Sequence, residues 1–212
     1  MEWALLGLGI VFAFFSWVII QGTRAALAWR RAIAAGDVDI IRQVVEETLG
    51  SWRSMKRPKE VPPNVWRGIQ GMQLVSVDAQ HIRASLTAEG EYRLEGGRWV
   101  ETASPLEEGF AIAAKALEML LYDIPNVRLP WVQVDVYTSF RDASGHASRQ
   151  CILSTVARRE IARNVDWDNW SAREIVDYLG GRYHLDEAGQ PRPVEPEVLP
   201  IVARREPEGK AP

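Results

Sequence analysis

The chain has 212 residues, a quarter of them charged, a formal net charge of −3 and one cysteine. Both signs of charge are interspersed, so composition gives no electrostatic reason to expect nucleic acid as a partner. One cysteine and three histidines exclude an intramolecular disulfide and a Cys-rich structural zinc site.

The first element is the uncharged run "WALLGLGIVFAFFSWVII", residues 3–20. As a helix it rises about 27 Å, close to the roughly 30 Å of a bilayer's hydrocarbon core. Trp3 and Trp17 stand near its ends, where indole rings prefer the headgroup level. Ala26-Leu27-Ala28 resembles a signal-peptide cleavage site, but the chain opens Met1-Glu2 without a positive n-region and its apolar core is too long. Residues 1–23 are therefore expected to be a transmembrane anchor in contact with membrane lipid. No Lys or Arg precedes the run, whereas Arg24, Arg30 and Arg31 follow it. Positive flanks stay in the cytoplasm, so the expected protein is single-pass in the cell membrane, with its N-terminus outside and its C-terminal domain cytoplasmic.

Residues 24–57 read as a juxtamembrane helical pair. "RAALAWRRAIAA" is rich in strong helix formers and continues the first helix until Gly36 stops it. Asp37 caps a second helix whose Ile41, Val45 and Trp52 recur at helical spacing. "AAGDVDIIRQVVEE" resembles the turn and second helix of an ankyrin repeat, but no second copy follows at about 33 residues, and the reading adopted is an αα-hairpin. Gly9 and Ala13 share a face of the first helix, and with the apolar stripe of the second they suggest a weak homodimer.

"RPKEVPP", residues 57–63, is a stiff break before an α+β domain assigned to 58–190. "MQLVSVDA" and "HIRASLTA" are expected strands, and "EYRLEGGRWVET" a hairpin turning at Gly96-Gly97. Ser104, Pro105 and Glu107 start a long helix carrying Leu106, Phe110, Ala113, Leu117 and Leu120 inward. "WVQVDVYTSF" alternates, with Val132, Val134 and Val136 facing the core and Gln133, Asp135 and Tyr137 on the other face. On that face, replacing Asp135 is expected to cost less than truncating Phe110 or Leu117. "QCILSTVA" pairs antiparallel with this strand, two short helices follow, and "RYHLDEAGQPRPV" forms an edge hairpin. Six prolines in residues 191–212 predict a disordered tail. The expected sheet is mainly antiparallel and packs on the one long helix.

The chemistry is sparse. Nucleophile-elbow, phosphate-loop, dinucleotide and His-Glu-x-x-His motifs are absent, so no cofactor and no metal are expected. His146 with Cys151 is a thin case for a catalytic thiol, and His184 with Asp186 offers two metal ligands but no third. "DWDNW", residues 166–170, fails as a calcium loop and reads better as the entry to a helix capped by Ser171 and Glu174, with Trp170 stapled on Ile175. Trp167 has no such structural assignment and is the candidate partner-binding residue. Asp135 and Gln150 on adjacent strands resemble the acidic and Glu/Gln positions of restriction-endonuclease-like domains, although Ile152 stands where their lysine belongs. The sequence thus points to a binding or assembly module at the membrane, with another protein as partner. The alternative is a hydrolase or a divergent nuclease-like domain using Asp135.

Overall fold

The computed structural model describes residues 2–141 and 146–196, with the side chains of 2–11, 13, 25, 26, 29, 91, 92, 99–101 and 141 outside the described set. Helix α1 (Glu2–Ala34) runs unbroken for 33 residues, about 50 Å. It ends at Gly36, whose φ of +79° is the left-handed conformation that glycine adopts freely after a helix. Among the described residues, no helix is long and apolar enough to cross a membrane. The span expected over residues 3–20 falls largely on side chains outside the described set, as do Gly9 and Ala13.

Asp37 caps α2 (Val38–Ser54), its Oδ1 accepting from the amides of Asp39 and Ile40. The α2 stripe of Ile41, Val45, Leu49 and Trp52 is buried in the same apolar cluster as the sheet. A helix that the sequence reading missed, α3 (Pro63–Gln70), follows with Pro63 at its first position. Proline has no amide to lose there, and Val65, Trp66 and Ile69 turn inward.

The main sheet holds β1 (Gln73–Val77), β2 (His81–Thr87), β5 (Trp131–Arg141) and β6 (Ala147–Arg158) in the order β1-β2-β5-β6. The excursion between β2 and β5 contains the hairpin β3 (Glu91–Glu95) and β4 (Arg98–Ala103) and the long helix α4 (Pro105–Tyr122). Gly96 and Gly97 both have positive φ, as a two-residue hairpin turn of matching twist requires. Ser104 Oγ accepts the Glu107 amide at 3.2 Å. Glu108, buried at the same helix start, accepts the amides of Glu89 and Gly90 at 2.8 Å each and so ties α4 to the end of β2.

The sheet is mixed, which corrects the expectation of a mainly antiparallel one. β5 is antiparallel to β6 but parallel to β2, with Ile82 beside Val132 and Ser85 beside Asp135. The helix α4 returns the chain to the starting edge before β5 begins, and such a crossover makes the two strands parallel. β2 and β5 are therefore the inner strands, and both of their faces are covered. Val132, Val134 and Val136 pack toward α4, and on the opposite face Gln133 and Asp135 are also buried.

Short helices α5 (Arg159–Ala162) and α6 (Ala172–Tyr178) follow β6, then a hairpin of β7 (His184–Leu185) and β8 (Pro191–Arg192). Ser154 exchanges both backbone hydrogen bonds with Arg182, and the Val194 amide donates to the Cys151 carbonyl. Those contacts occupy part of the β6 edge that would otherwise be open to strand pairing. Within the segment expected to be a disordered tail, residues 191–196 are described and begin in β8, while 197–212 lie outside the described residues.

Candidate functional site

Trp167 lies in the loop between α5 and α6, half-buried, with its ring edge-on to Tyr122 at 6.1 Å between centroids. It lines a groove of about 270 Å³ together with Val65 of α3, Ala111 and Ala114 of α4, and Trp170 and Ile175 at α6. The local sequence builds this wall by capping. Ser171 Oγ accepts the Glu174 amide, and the Glu174 carboxylate accepts the Ser171 amide at 2.8 Å, which starts α6 and fixes the two tryptophans before it. Trp170 shares the groove with Ile175, and its ring stands edge-on to Tyr178 at 5.1 Å. Asp166 accepts from the Asn169 amide and side chain, so this acidic residue of "DWDNW" serves a turn. Glu60 and Asp168 stand at the groove, where Lys115 is paired with Glu118 at 2.7 Å.

Asp135 is the most enclosed charge on the outer sheet face, with no exposed area. Its Oδ1 accepts from Gln133 Nε2 at 2.9 Å and Ser154 Oγ at 2.7 Å, and its Oδ2 pairs with Arg83 Nε at 2.7 Å. Three groups, one from each of three strands, thus close on one carboxylate. Strand register brings them there: Ser85 and Ser154 flank Asp135 on β2 and β6, and Arg83 lies two residues before Ser85. Beside this cluster Tyr137 has its phenol pKa raised by burial and then by the Asp135 charge, with the Arg149 guanidinium 4.5 Å from its ring centre. Gln150 does not join Asp135. It stands opposite Thr138, three positions along β5, about 10 Å at the rise of a strand, and its amide donates to Ser148.

The thiol of Cys151 is buried on a β-bulge opposite Tyr137, donates to the Leu153 carbonyl at 3.3 Å, and is pushed up to about 11 by burial and the nearby Asp135. A nucleophilic thiol needs the opposite, a depressed pKa and access. His146 is exposed at the start of β6. His184 is exposed on β7, whereas Asp186 accepts the amides of Ala188 and Gln190 and closes the hairpin turn. Among the described residues, no group of three or more His, Cys, Asp or Glu is placed to hold a metal ion.

A contact chain that the sequence reading missed lies on the β1–β2 turn. Ser76 Oγ is 3.3 Å from His81 Nε2, and His81 Nδ1 is 2.8 Å from Asp78 Oδ2. The spacing is that of a Ser-His-Asp relay, but the Nδ1 contact lies off hydrogen-bonding geometry, and the other Asp78 oxygen accepts the amides of Gln80 and His81. That pattern is an Asx turn, which alone accounts for an aspartate at this hairpin. Neither Ser76 nor His81 lines the Trp167 groove.

No protein-family model, curated protein or solved structure matches the chain.

Proposed function

We propose that this protein is a single-pass membrane-anchored module whose cytoplasmic α+β domain binds a partner protein through the groove beside Trp167. The observation that carries the reading is the outer surface of α1. Phe12, Phe14, Phe15, Trp17, Ile19 and Ile20 are 50–74% exposed on successive sides of one helix. A helix apolar all round needs a nonpolar surround, and a lipid bilayer supplies it. The continuation of α1 as one helix to Ala34 then holds the domain at the bilayer face. The groove offers recognition chemistry: aromatic walls, an apolar floor and acidic groups at its rim, which suit an apolar anchor flanked by basic residues.

The test is photo-crosslinking in intact membranes from a probe at position 168, with position 187 on the distant hairpin as control. A discrete adduct from 168 alone, lost on Trp167→Ser in protein that keeps its melting temperature, is the expected result. Equal adducts from both positions, or none from 168, would remove the groove as the binding surface. A C-terminal reporter exposed outside the cell would remove the orientation.

A hydrolase is the second reading, and it would use Ser76 beside His81 rather than Asp135, whose oxygens are already engaged by Arg83, Gln133 and Ser154, although Asp78 serves its Asx turn and meets His81 Nδ1 off hydrogen-bonding geometry. A fluorophosphonate label on the wild-type chain that disappears in Ser76→Ala would establish it.

A further inference from the structure

Five arginines gather where α1 meets the domain. The last turns of α1, the loop from Tyr122 to Leu129 and helix α5 enclose a cleft of about 830 Å³, lined by Arg30, Arg128, Arg159 and Arg163, with Asp123 as the one carboxylate among the described residues that line it. An adjoining recess of about 330 Å³ shares Arg128, Arg159 and Arg163 and adds Arg158 and Glu160. Among the described residues, none of these arginines has a carboxylate within ion-pair distance.

Two of the guanidinium groups are held in place rather than waving in solvent. Arg159 Nε donates to the Leu129 carbonyl at 3.0 Å, and its guanidinium lies 5.7 Å from the centre of the Tyr122 ring. Arg158 stacks 4.7 Å over Trp131. Arg159 is half-buried, and its pKa is lowered first by burial, against an opposing contribution from Tyr122, and then by the neighbouring charges of Arg128 and Arg163. Like charges converging on a partly dehydrated pocket cost free energy unless an anion offsets them. Compensation of a helix dipole accounts for Arg30 and Arg31 at the end of α1, but not for arginines on a loop and on a four-residue helix.

We infer that this cleft is a binding site for a phosphate-bearing anion with more than one phosphoryl group, either an acidic phospholipid headgroup or a soluble diphosphate. Guanidinium groups match phosphate oxygens in planar, two-point contacts, and four of them along a cavity of about 830 Å³ leave room for a second phosphoryl group. The inference is independent of the Trp167 groove, because the two sites share no lining residue.

The experiment uses the full chain in micelles of a neutral detergent, titrated with inorganic pyrophosphate in one arm and with cardiolipin in the other. Phosphatidylcholine is the neutral-lipid control. Arg128 and Arg163 are exposed, so the double variant Arg128→Ala/Arg163→Ala should keep the wild-type melting temperature. It should weaken binding by about ten-fold or more. Arg42→Ala, on the exposed side of α2, should leave affinity unchanged. Saturable binding of pyrophosphate assigns the site to a soluble ligand, and a response to cardiolipin alone assigns it to a headgroup. The inference fails if neither probe binds below about 1 mM, or if the double variant binds as tightly as the wild type.

Discussion

At Asp135 the cost of a residue is decided by its partners and not by the face of the strand it occupies. Alternation along β5 correctly separates Val132, Val134 and Val136 from Gln133 and Asp135, yet the second set is as buried as the first. Burial of Asp135 argues against the expectation that its replacement costs less than truncating Phe110 or Leu117. Its carboxylate holds Arg83, Gln133 and Ser154 together, and removing one partner of a buried ion pair typically costs about 3–5 kcal/mol, because the remaining charge is left without compensation. Arg83→Met keeps most of the apolar stem and deletes the charge. It should lower stability by about that amount at neutral pH, read from denaturant midpoints, and a loss of under about 1 kcal/mol would mean that water replaces Arg83 at little cost. Cys151 gives a pH-dependent counterpart. An unfolded thiol ionises near pH 9, whereas the folded one holds its proton to about 11. Rising pH therefore favours the unfolded chain across that window, by order-of-magnitude about 2–3 kcal/mol in full. Cys151→Ala should flatten this part of the stability profile relative to the wild type. Parallel curves from pH 9 to 11 would place the thiol in contact with solvent.

Among the elements, legibility followed the range of the interactions that specify them. Local signals were sufficient for the capped helices: Asp37, Ser104 and Ser171 each accept the amides their spacing implies. The Gly96-Gly97 turn and the antiparallel β5–β6 pair also depend on neighbours in sequence. The parallel β2–β5 pair does not, since its paired residues lie 50 positions apart, as His81 and Trp131 do, and no side-chain pattern within either strand records which strand lies beside it. Helix α3 was missed because Pro62 and Pro63 read as a break, although Val65, Trp66 and Ile69 already carry helical spacing. Trp167 was legible as a residue without a structural assignment, but Tyr122 and the α3 wall that make it part of a groove come from distant segments. Helix α4 is the element on which the layers depend, with Leu117 fully buried between the sheet and the neighbouring helices. Leu117→Ala should cost about 2–5 kcal/mol through lost transfer energy and the cavity left behind. A thermal melt shifted by less than the equivalent of about 1 kcal/mol would contradict so central a position for this helix.

For the whole molecule, the packing of α2 changes where self-association can arise. Read from sequence, both α1 and α2 offered apolar faces for a second copy. In the fold, Ile41, Val45, Leu49 and Trp52 of α2 are spent on the chain's own core, together with Val65 and Ile69 of α3. Among the described residues, the exposed apolar surface at the N-terminal end is chiefly that of α1, at Phe12, Phe14, Phe15, Trp17 to Ile20 and Leu27, with Met55 alone at the end of α2. Any homodimer made by the first sixty residues should therefore run through α1. A chain beginning near Val61 is not a fair control, since it lacks α2 and would expose the apolar groups that α2 covers, whereas a chain beginning at Arg24 retains that core. Crosslinking the full chain in membranes beside the chain that begins at Arg24 should give dimers from the first alone, at low yield because small-residue helix packing contributes little per contact. Equal yields from both would place the contact on the globular domain and leave α1 with only the anchoring proposed for it.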